Sequence, residues 1–361
     1  PRSHAYAFAH LALISATLRL RYPEAYYAAI LNCQPMGFYA PHTLIWDAHR
    51  HGVRVLPVDV NRSSWECTLE SPASSVSLNE EGEASGIRLG FKEVQGLGSA
   101  AQAVLERERA QGPFRSLGDF VARTAFDRET LERLAEVGAF ISLERVSLER
   151  GSLEKGLAPQ GALAPQEAKE GTTKKDTGGR IAGGNGHRRA TVWATGELAG
   201  FGERHLPGLA EQVAEETTLP AMTDWEEVQA EYRGIGYAIG RHVVSYFRPR
   251  LDRLQARTAV DLPKARRGSI VRGGGLVIVR QRPETAGHLV FLTLEDETGL
   301  FNAIVYPQTY ERLRRVLRGE PLIVVEGPLQ AQDGVTHILV RRAWSLTRDP
   351  TLARVPSHDF H

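Results

Sequence analysis

Cysteine is nearly absent: the 361 residues contain two, Cys33 and Cys67. Two cysteines build neither a disulfide framework nor a cysteine-rich zinc site, and their scarcity fits a reducing compartment. Long apolar runs are also missing. No stretch approaches the roughly 18 apolar residues of a membrane span, so no membrane partner and a cytoplasmic location are expected. Charge of one sign is not in excess, with 44 Lys and Arg against 43 Asp and Glu. That balance excludes a uniformly basic nucleic-acid binder while leaving local patches open. The opening has neither a starting methionine nor a signal-like segment, and an apolar helical pattern is already under way there. The expectation is the back part of something longer.

Motifs that would run chemistry are lacking too. There is no GxSxG elbow, no supported Cys–His arrangement and no Walker A loop. His42, His49 and His51 are close in sequence but lack HExxH spacing. Glu295, Asp296 and Glu297 would suit Mg²⁺, yet they fall at a strand–turn junction where acidic turn formers are expected anyway. No residue is assigned a catalytic or metal-ligating role.

Apolar residues make up 42% of the chain, enough for real cores, and the length suggests two or three domains. Phe8, Leu11, Ile14 and Leu18 recur at helical spacing in a segment that Ser3 can cap. Two further helices follow, in EAYYAAILN and in TLIWDAHRHG, the latter ending at Gly52. VRVLPVDVN alternates like a short strand interrupted by Pro57, and SPASSVSLNEEGEASG is polar loop.

Residues 92 to 104, KEVQGLGSAAQAV, pose the functional question. A dinucleotide loop would need a preceding strand, a third glycine and an acidic residue about 20 positions onward; the third glycine and the β-α-β context are missing. A helix-hairpin-helix grip needs less. Glycines at 96 and 98 relieve the backbone and admit a phosphate, and the amides of Leu97, Gly98 and Ser99, with the following helix terminus, can point at its oxygens. Lys92 adds a charge nearby. Helices are expected over about Ser99 to Ala110, over SLGDFVART and over RETLERLAEVGAF. A plain inter-helix turn without ligand is the competing reading. The second turn, around Gly138 and Ala139, reads as structural.

Residues 151 to 187 are rich in Gly, Ala, Pro and charge and nearly devoid of large apolar side chains, the composition of a disordered linker. Order resumes near Arg188, and a helix capped by Thr223 or Asp224 follows. From Arg233 to Arg282 there are twelve Arg or Lys against two Asp, so the basic charge is local. Five β-rich segments then follow, with the helical TYERLRRVLRG between the third and fourth. That order suggests an oligonucleotide-binding (OB) Greek-key barrel, with a five-stranded sandwich as the alternative. Nucleic-acid contacts would come from Arg266, Arg267, Arg280, Arg282 and Arg341, with Arg342, and stacking from Phe291, Phe301, Tyr306 or His337. Phe291 and Phe301 suit core packing better, and Arg314, Arg315 and Arg318 serve equally well as a solvated face.

Together these strings resemble the C-terminal third of bacterial C-family DNA polymerase α subunits, closest to the error-prone branch. The opening SHAYAFAHLALISATLRLRYPEAYYAAILN resembles the end of the fingers. QPMGFY, DAHRHGVRVLPVDVN and SSWECTLE resemble that branch's signature. IRLGFKEVQGLG and GPFRSLGDFVAR resemble its tandem helix-hairpin-helix domain, and FLTLEDETGLFNAIVYPQTYERLRRVLRG its OB domain.

The resemblance implies a multidomain, mainly α chain with a C-terminal β-barrel. Residues 1–86 would end the fingers, 87–140 form the tandem helix-hairpin-helix domain, 141–187 the linker, 188–268 a basic helical connector, 269–348 the OB-fold and 349–361 a tail. Gly96, Leu97, Gly98 and Ser99 would hold duplex backbone, Gly138 and Ala139 would form the paired hairpin, and the barrel would sit near single-stranded template. The partners implied are DNA, the polymerase region preceding this segment, and other mutagenesis or replication proteins. In such polymerases nucleotide addition uses Mg²⁺ held by palm aspartates that have no counterpart here, so no cofactor is assigned to this chain. A free-standing DNA-binding or assembly module is the alternative. We expect the purified chain to show no Mg²⁺-dependent extension of a labelled primer on a gel; extension would overturn the non-catalytic reading.

Overall fold

The computed structural model describes residues 2–37, 39–70, 86–143, 188–200, 219–283, 287–332, 335–346 and 358–360. The polar stretch 71–85, nearly all of the expected linker (144–187) and most of the tail lie outside them. The fold is mainly helical with a closed β-barrel near its end. By contact the chain divides into one unit of residues 1–57, 63–95 and 224–361 and another of residues 58–62 and 96–223.

The first unit opens with α1 (Arg2–Arg21), α2 (Pro23–Asn32) and α3 (Pro41–Arg50). Because α1 begins at Arg2, Ser3 lies inside the helix and not at its cap. Proline begins both α2 and α3, where its missing amide leaves no hydrogen bond unmade. Three short strands follow, β1 (Arg54–Leu56), β2 (Thr68–Glu70) and β3 (Gly86–Arg88). β3 lies between the others, parallel to β1 and antiparallel to β2. The half-exposed Glu70 accepts two hydrogen bonds, at 2.6 and 2.8 Å, from buried Arg88.

The same unit ends in the barrel. Its strands are β4 (Ile270–Gln281), β5 (Val290–Asp296), β6 (Gly299–Val305), β7 (Leu322–Gln332) and β8 (Val335–Leu339). They pair β4-β5-β6-β8-β7, and β7 returns to β4, closing the barrel. Every pairing is antiparallel except β6 with β8. A helix, here α10 (Pro307–Gly319), enters between β6 and β7. This is the OB strand order, so the barrel reading holds and the sandwich falls away.

Alternation along β5 and β6 sends Leu292, Leu294, Phe301 and Ala303 into the barrel core. In β7, Ile323 and Val325 face that core while Leu322 and Val324 face outward into a second apolar cluster. The outer cluster is completed by Val228 and Tyr232 of α8 (Asp224–Gly234) and Leu251 of α9 (Arg248–Arg253). The unbroken apolar run PLIVV thus reflects a strand covered on both faces.

The final β-rich segment is not one strand. It breaks at Val340–Arg341, and β9 (Arg342–Ser345) resumes along β7. The break lies opposite Gly327, where a Cβ would overlap the Leu339 carbonyl. A short strand in the tail, β10 (His358–Phe360), lies parallel to Val279–Gln281 of β4.

One charged network ties the pieces of this unit together. Glu295 and Asp296, at the end of β5, are fully buried. Arg50, from α3, donates to Glu295 Oε1 at 2.8 Å across 245 residues of sequence. Asp296 accepts the Ala259 amide at 2.8 Å and an Arg248 nitrogen at 3.3 Å. Arg248 also holds Glu297 at 2.5 and 2.9 Å. Buried His242 accepts the Val244 amide at Nδ1, which places the proton of the neutral ring on Nε2, 3.9 Å from Glu295 Oε2.

The second unit holds α4 (Ser99–Ala110), α5 (Leu117–Thr124), α6 (Arg128–Glu136) and α7 (Arg188–Gly200). Ser116 caps α5 by accepting the Asp119 amide, and Asp127 caps α6 by accepting the Thr130 amide. Phe120 sits at the centre, with ring centroids 4.7 Å from Phe114 and 5.1 Å from Phe140. The stretch 58–62 belongs here. Asn61 both accepts from and donates to the Phe114 backbone, at 2.8 and 2.9 Å, and the Val60 amide donates to Ala139.

Removing Arg50 would strand a fully buried carboxylate. We expect Arg50→Met to lower the stability of the first unit by about 3–5 kcal/mol. Urea unfolding followed through Trp46, which packs against His242 at 4.9 Å, measures it. Glu295→Gln should cost less, because Arg50 keeps partial access to water.

Candidate nucleic-acid interface

The corner at Gln95–Ser99 is built by backbone. It follows a short 3₁₀ turn, Phe91–Glu93, and leads directly into α4. Gly96 adopts φ +83°, a left-handed conformation that favours glycine, and a side chain there would run into the Arg133 guanidinium. Gly98 differs. Its backbone is extended, and a Cβ on it would meet nothing within 4 Å. The fold therefore favours glycine at 96 for its backbone angle, while at 98 there is room for a side chain and glycine serves the fold only as the N-cap of α4.

Gly96, Gly98 and Ser99 are exposed and Leu97 is half-buried. Gly98 gives α4 no side-chain cap, and the first turn of the helix has no acidic residue. The first amides of an α-helix have no acceptor within the helix. At α4 they open on solvent beside the positive end of the helix dipole, an arrangement suited to an anion. Arg133, half-buried on α6 and ion-paired with Glu129, lies beside Gly96 and adds positive charge. Its place is not readable locally, since it stands 37 positions along the chain; its residence in the last turn of α6 is the only sequence signal.

The paired turn is different. Gly138 also has a positive φ, +75°, but it is buried with Ala139. Arg188 of α7 lies against it. This agrees with a structural turn.

Two of the cations expected near DNA are engaged within the fold. Lys92 donates its Nζ to the Asn32 carbonyl at 2.6 Å, closing the end of α2. Arg280 donates to the carbonyls of Leu317 and Glu320, at 2.7 and 3.0 Å, at the end of α10. Both meet helix-terminal carbonyls that need donors. Arg282 lies over the Tyr310 ring at 5.3 Å and is exposed. Arg266 and Arg267 are exposed in the loop before β4, and Arg341 is exposed in the β8–β9 break. Of the aromatics, Phe301 is core, Phe291 is half-buried on the outer strand face, and Tyr306 is exposed.

The carboxylates at 295–297 do not fit a magnesium site. Their oxygens face Arg50 and Arg248 and backbone amides in place of an open cation position. Among the described residues no group of three His, Cys, Asp or Glu is placed to hold a metal. No described helix is long and apolar enough to cross a membrane.

Comparison with known proteins adds to this picture. A helix-hairpin-helix motif model matches residues 52–150. Over its whole length the chain is homologous to error-prone DNA polymerases. It is 38% identical over 372 residues to the error-prone DNA polymerase of Methylococcus capsulatus, covering 100% of this chain and 31% of that one. Against the error-prone DNA polymerase of Ralstonia pickettii it is 36% identical over 365 residues, covering 100% and 30%. The chain thus spans about three-tenths of these relatives. Among solved structures, asparaginyl-tRNA synthetase from Pyrococcus horikoshii is similar at 21% identity and a TM-score of 0.22, over 28% of this chain and 27% of that one.

The contrast between the two glycines is measurable. We expect Gly96→Ala to destabilise the second unit by about 1–2 kcal/mol through its positive φ and the crowding of Arg133. Gly98→Ala, which only exchanges the N-cap for a poorer one, should cost less, about 0.5–1 kcal/mol. Chemical denaturation read by circular dichroism compares them.

Proposed function

We propose that this chain is the DNA-handling part of an error-prone DNA polymerase acting in translesion synthesis and repair. In this reading it holds duplex backbone at the Gly96–Ser99 corner, while the barrel and the basic loops keep the template strand close. The observation that carries the proposal is the exposed, uncapped start of α4, preceded by a glycine whose side chain the fold does not exclude. Homology of the whole of this chain to about three-tenths of error-prone DNA polymerases supports it. A grip made of amides reads no base identity, as a polymerase moving over arbitrary and damaged sequence requires. Nucleotide addition is assigned to no residue of this chain. DNA is the partner, together with the polymerase region that the longer relatives possess.

Fluorescence anisotropy with a labelled duplex tests the grip. Binding should depend little on sequence and weaken with salt to the extent that the basic loops contribute beside the amides. Gly98→Val should reduce affinity by roughly tenfold or more, as expected when a crowded phosphate contact is lost, while circular dichroism remains unchanged. Unaltered affinity in the folded variant would remove the corner from the account.

A further inference from the structure

We propose that the barrel has a phosphodiester-binding cleft formed by Arg312, Arg341 and Arg342, on its α10–β9 side and not on the β5–β6 strand face. This rests on the reading of the chain as a DNA-handling segment. The cleft is open, with a volume of ≈ 500 Å³, and is lined by these three arginines and Leu313. The strand break opposite Gly327 creates it, because the chain leaves regular pairing at Val340–Arg341 and presents two consecutive arginines there. Arg312, from the opposing helix, donates to the Arg341 carbonyl at 2.8 Å, which anchors the third guanidinium at the same place.

Positive charge in the cleft is poorly balanced. The nearby acid is Glu326, which already accepts from Arg272 at 2.6 Å. Arg342 stands 3.8 Å from its other oxygen with a side chain 77% exposed. Arg341 has no ion-pair partner among the described residues. Guanidinium forks converging from a helix and a loop match the oxygens of a phosphodiester.

The strand face offers the opposite. OB barrels commonly bind oligonucleotides over their second and third strands, here β5 and β6. The outward positions in register across that face are Val279, Thr293, Asn302 and His337, and beside them Gln281, Phe291, Ile304 and Leu339. None is Lys or Arg. A strand lying there would find aliphatic and polar contacts and the rings of Phe291 and His337, but no Lys or Arg for its phosphates. An acidic protein segment would also meet the arginines, but protein partners draw their affinity from apolar anchors, and the cleft offers only Leu313. Affinity for nucleic acid is largely electrostatic, which is what the cleft supplies.

The test is anisotropy of a labelled oligo-dT strand with the full 361-residue chain over a salt series. The Arg341→Gln/Arg342→Gln pair leaves the Arg312 hydrogen bond to the backbone in place, so it should fold. Affinity should fall roughly tenfold at low salt, and the salt slope should become shallower by about 1.4, two single-strand phosphate contacts' worth. Phe291→Ala/His337→Ala should keep the parental slope. Binding by the arginine variant within twofold of the parent, with an unchanged slope, would overturn the cleft. So would arginine-dependent binding of a polyglutamate peptide of equal charge as tight as that of the oligonucleotide. If the parent binds no DNA, the proposed function fails with it; if Gly98→Val weakens duplex binding but the arginines do not matter, only the cleft fails.

Discussion

Two buried carboxylates, Glu295 and Asp296, hold the larger unit together. Neither has access to water, so each must find its compensation in protein. They find it in Arg50 from the opening helices and in Arg248 and the Ala259 amide from the connector, two segments far apart in the chain. The opening helices, the basic connector and the barrel are therefore bound by a requirement of charge as well as by apolar contact. Hydrophobic area would tolerate a range of dockings. A buried ion pair with donors in fixed directions is far less forgiving.

How much of this was readable in the residues depends on the range of the interaction. The barrel was legible because β5 and β6 alternate with period two and turn residues punctuate every strand. The caps at Ser116 and Asp127 and the left-handed Gly96 are local, and local chemistry marks them. The positions that misled are those decided at a distance. Lys92 and Arg280 read as free cations, yet each closes a helix whose end lies dozens of residues away. The acidic run at 295–297 reads as a surface turn, and only donors distant in sequence make two of its members core: Arg50, 245 residues earlier, for Glu295, and Arg248 with the Ala259 amide for Asp296. The break at Val340–Arg341 has no composition signal because its cause, Gly327, lies on the neighbouring strand. Residues 58–62 look like the continuation of a short strand but are claimed by Phe114 and Ala139.

The two proposed contacts would use different chemistry, backbone at the corner and side chains on the barrel. At the hairpin, direction comes from amides fixed by a helix, and the glycine before them leaves room. On the barrel, the strand face is nearly neutral and the arginines gather behind it. Amide donors hold their geometry whatever the ionic strength, whereas exposed guanidinium groups respond to it through counterions. The two modes are therefore separable in experiment.

The interleaving of the two units along the chain governs how the molecule can be assembled and dissected. The second unit is nearly contiguous, while the first closes only after its final segment has been synthesised. On a ribosome, Arg50 must wait through the emergence of 245 residues for Glu295, with only Asp47 of its own helix beside it. A shortened chain that begins at the connector inherits the converse defect: a barrel with an interior anion whose cation was left behind.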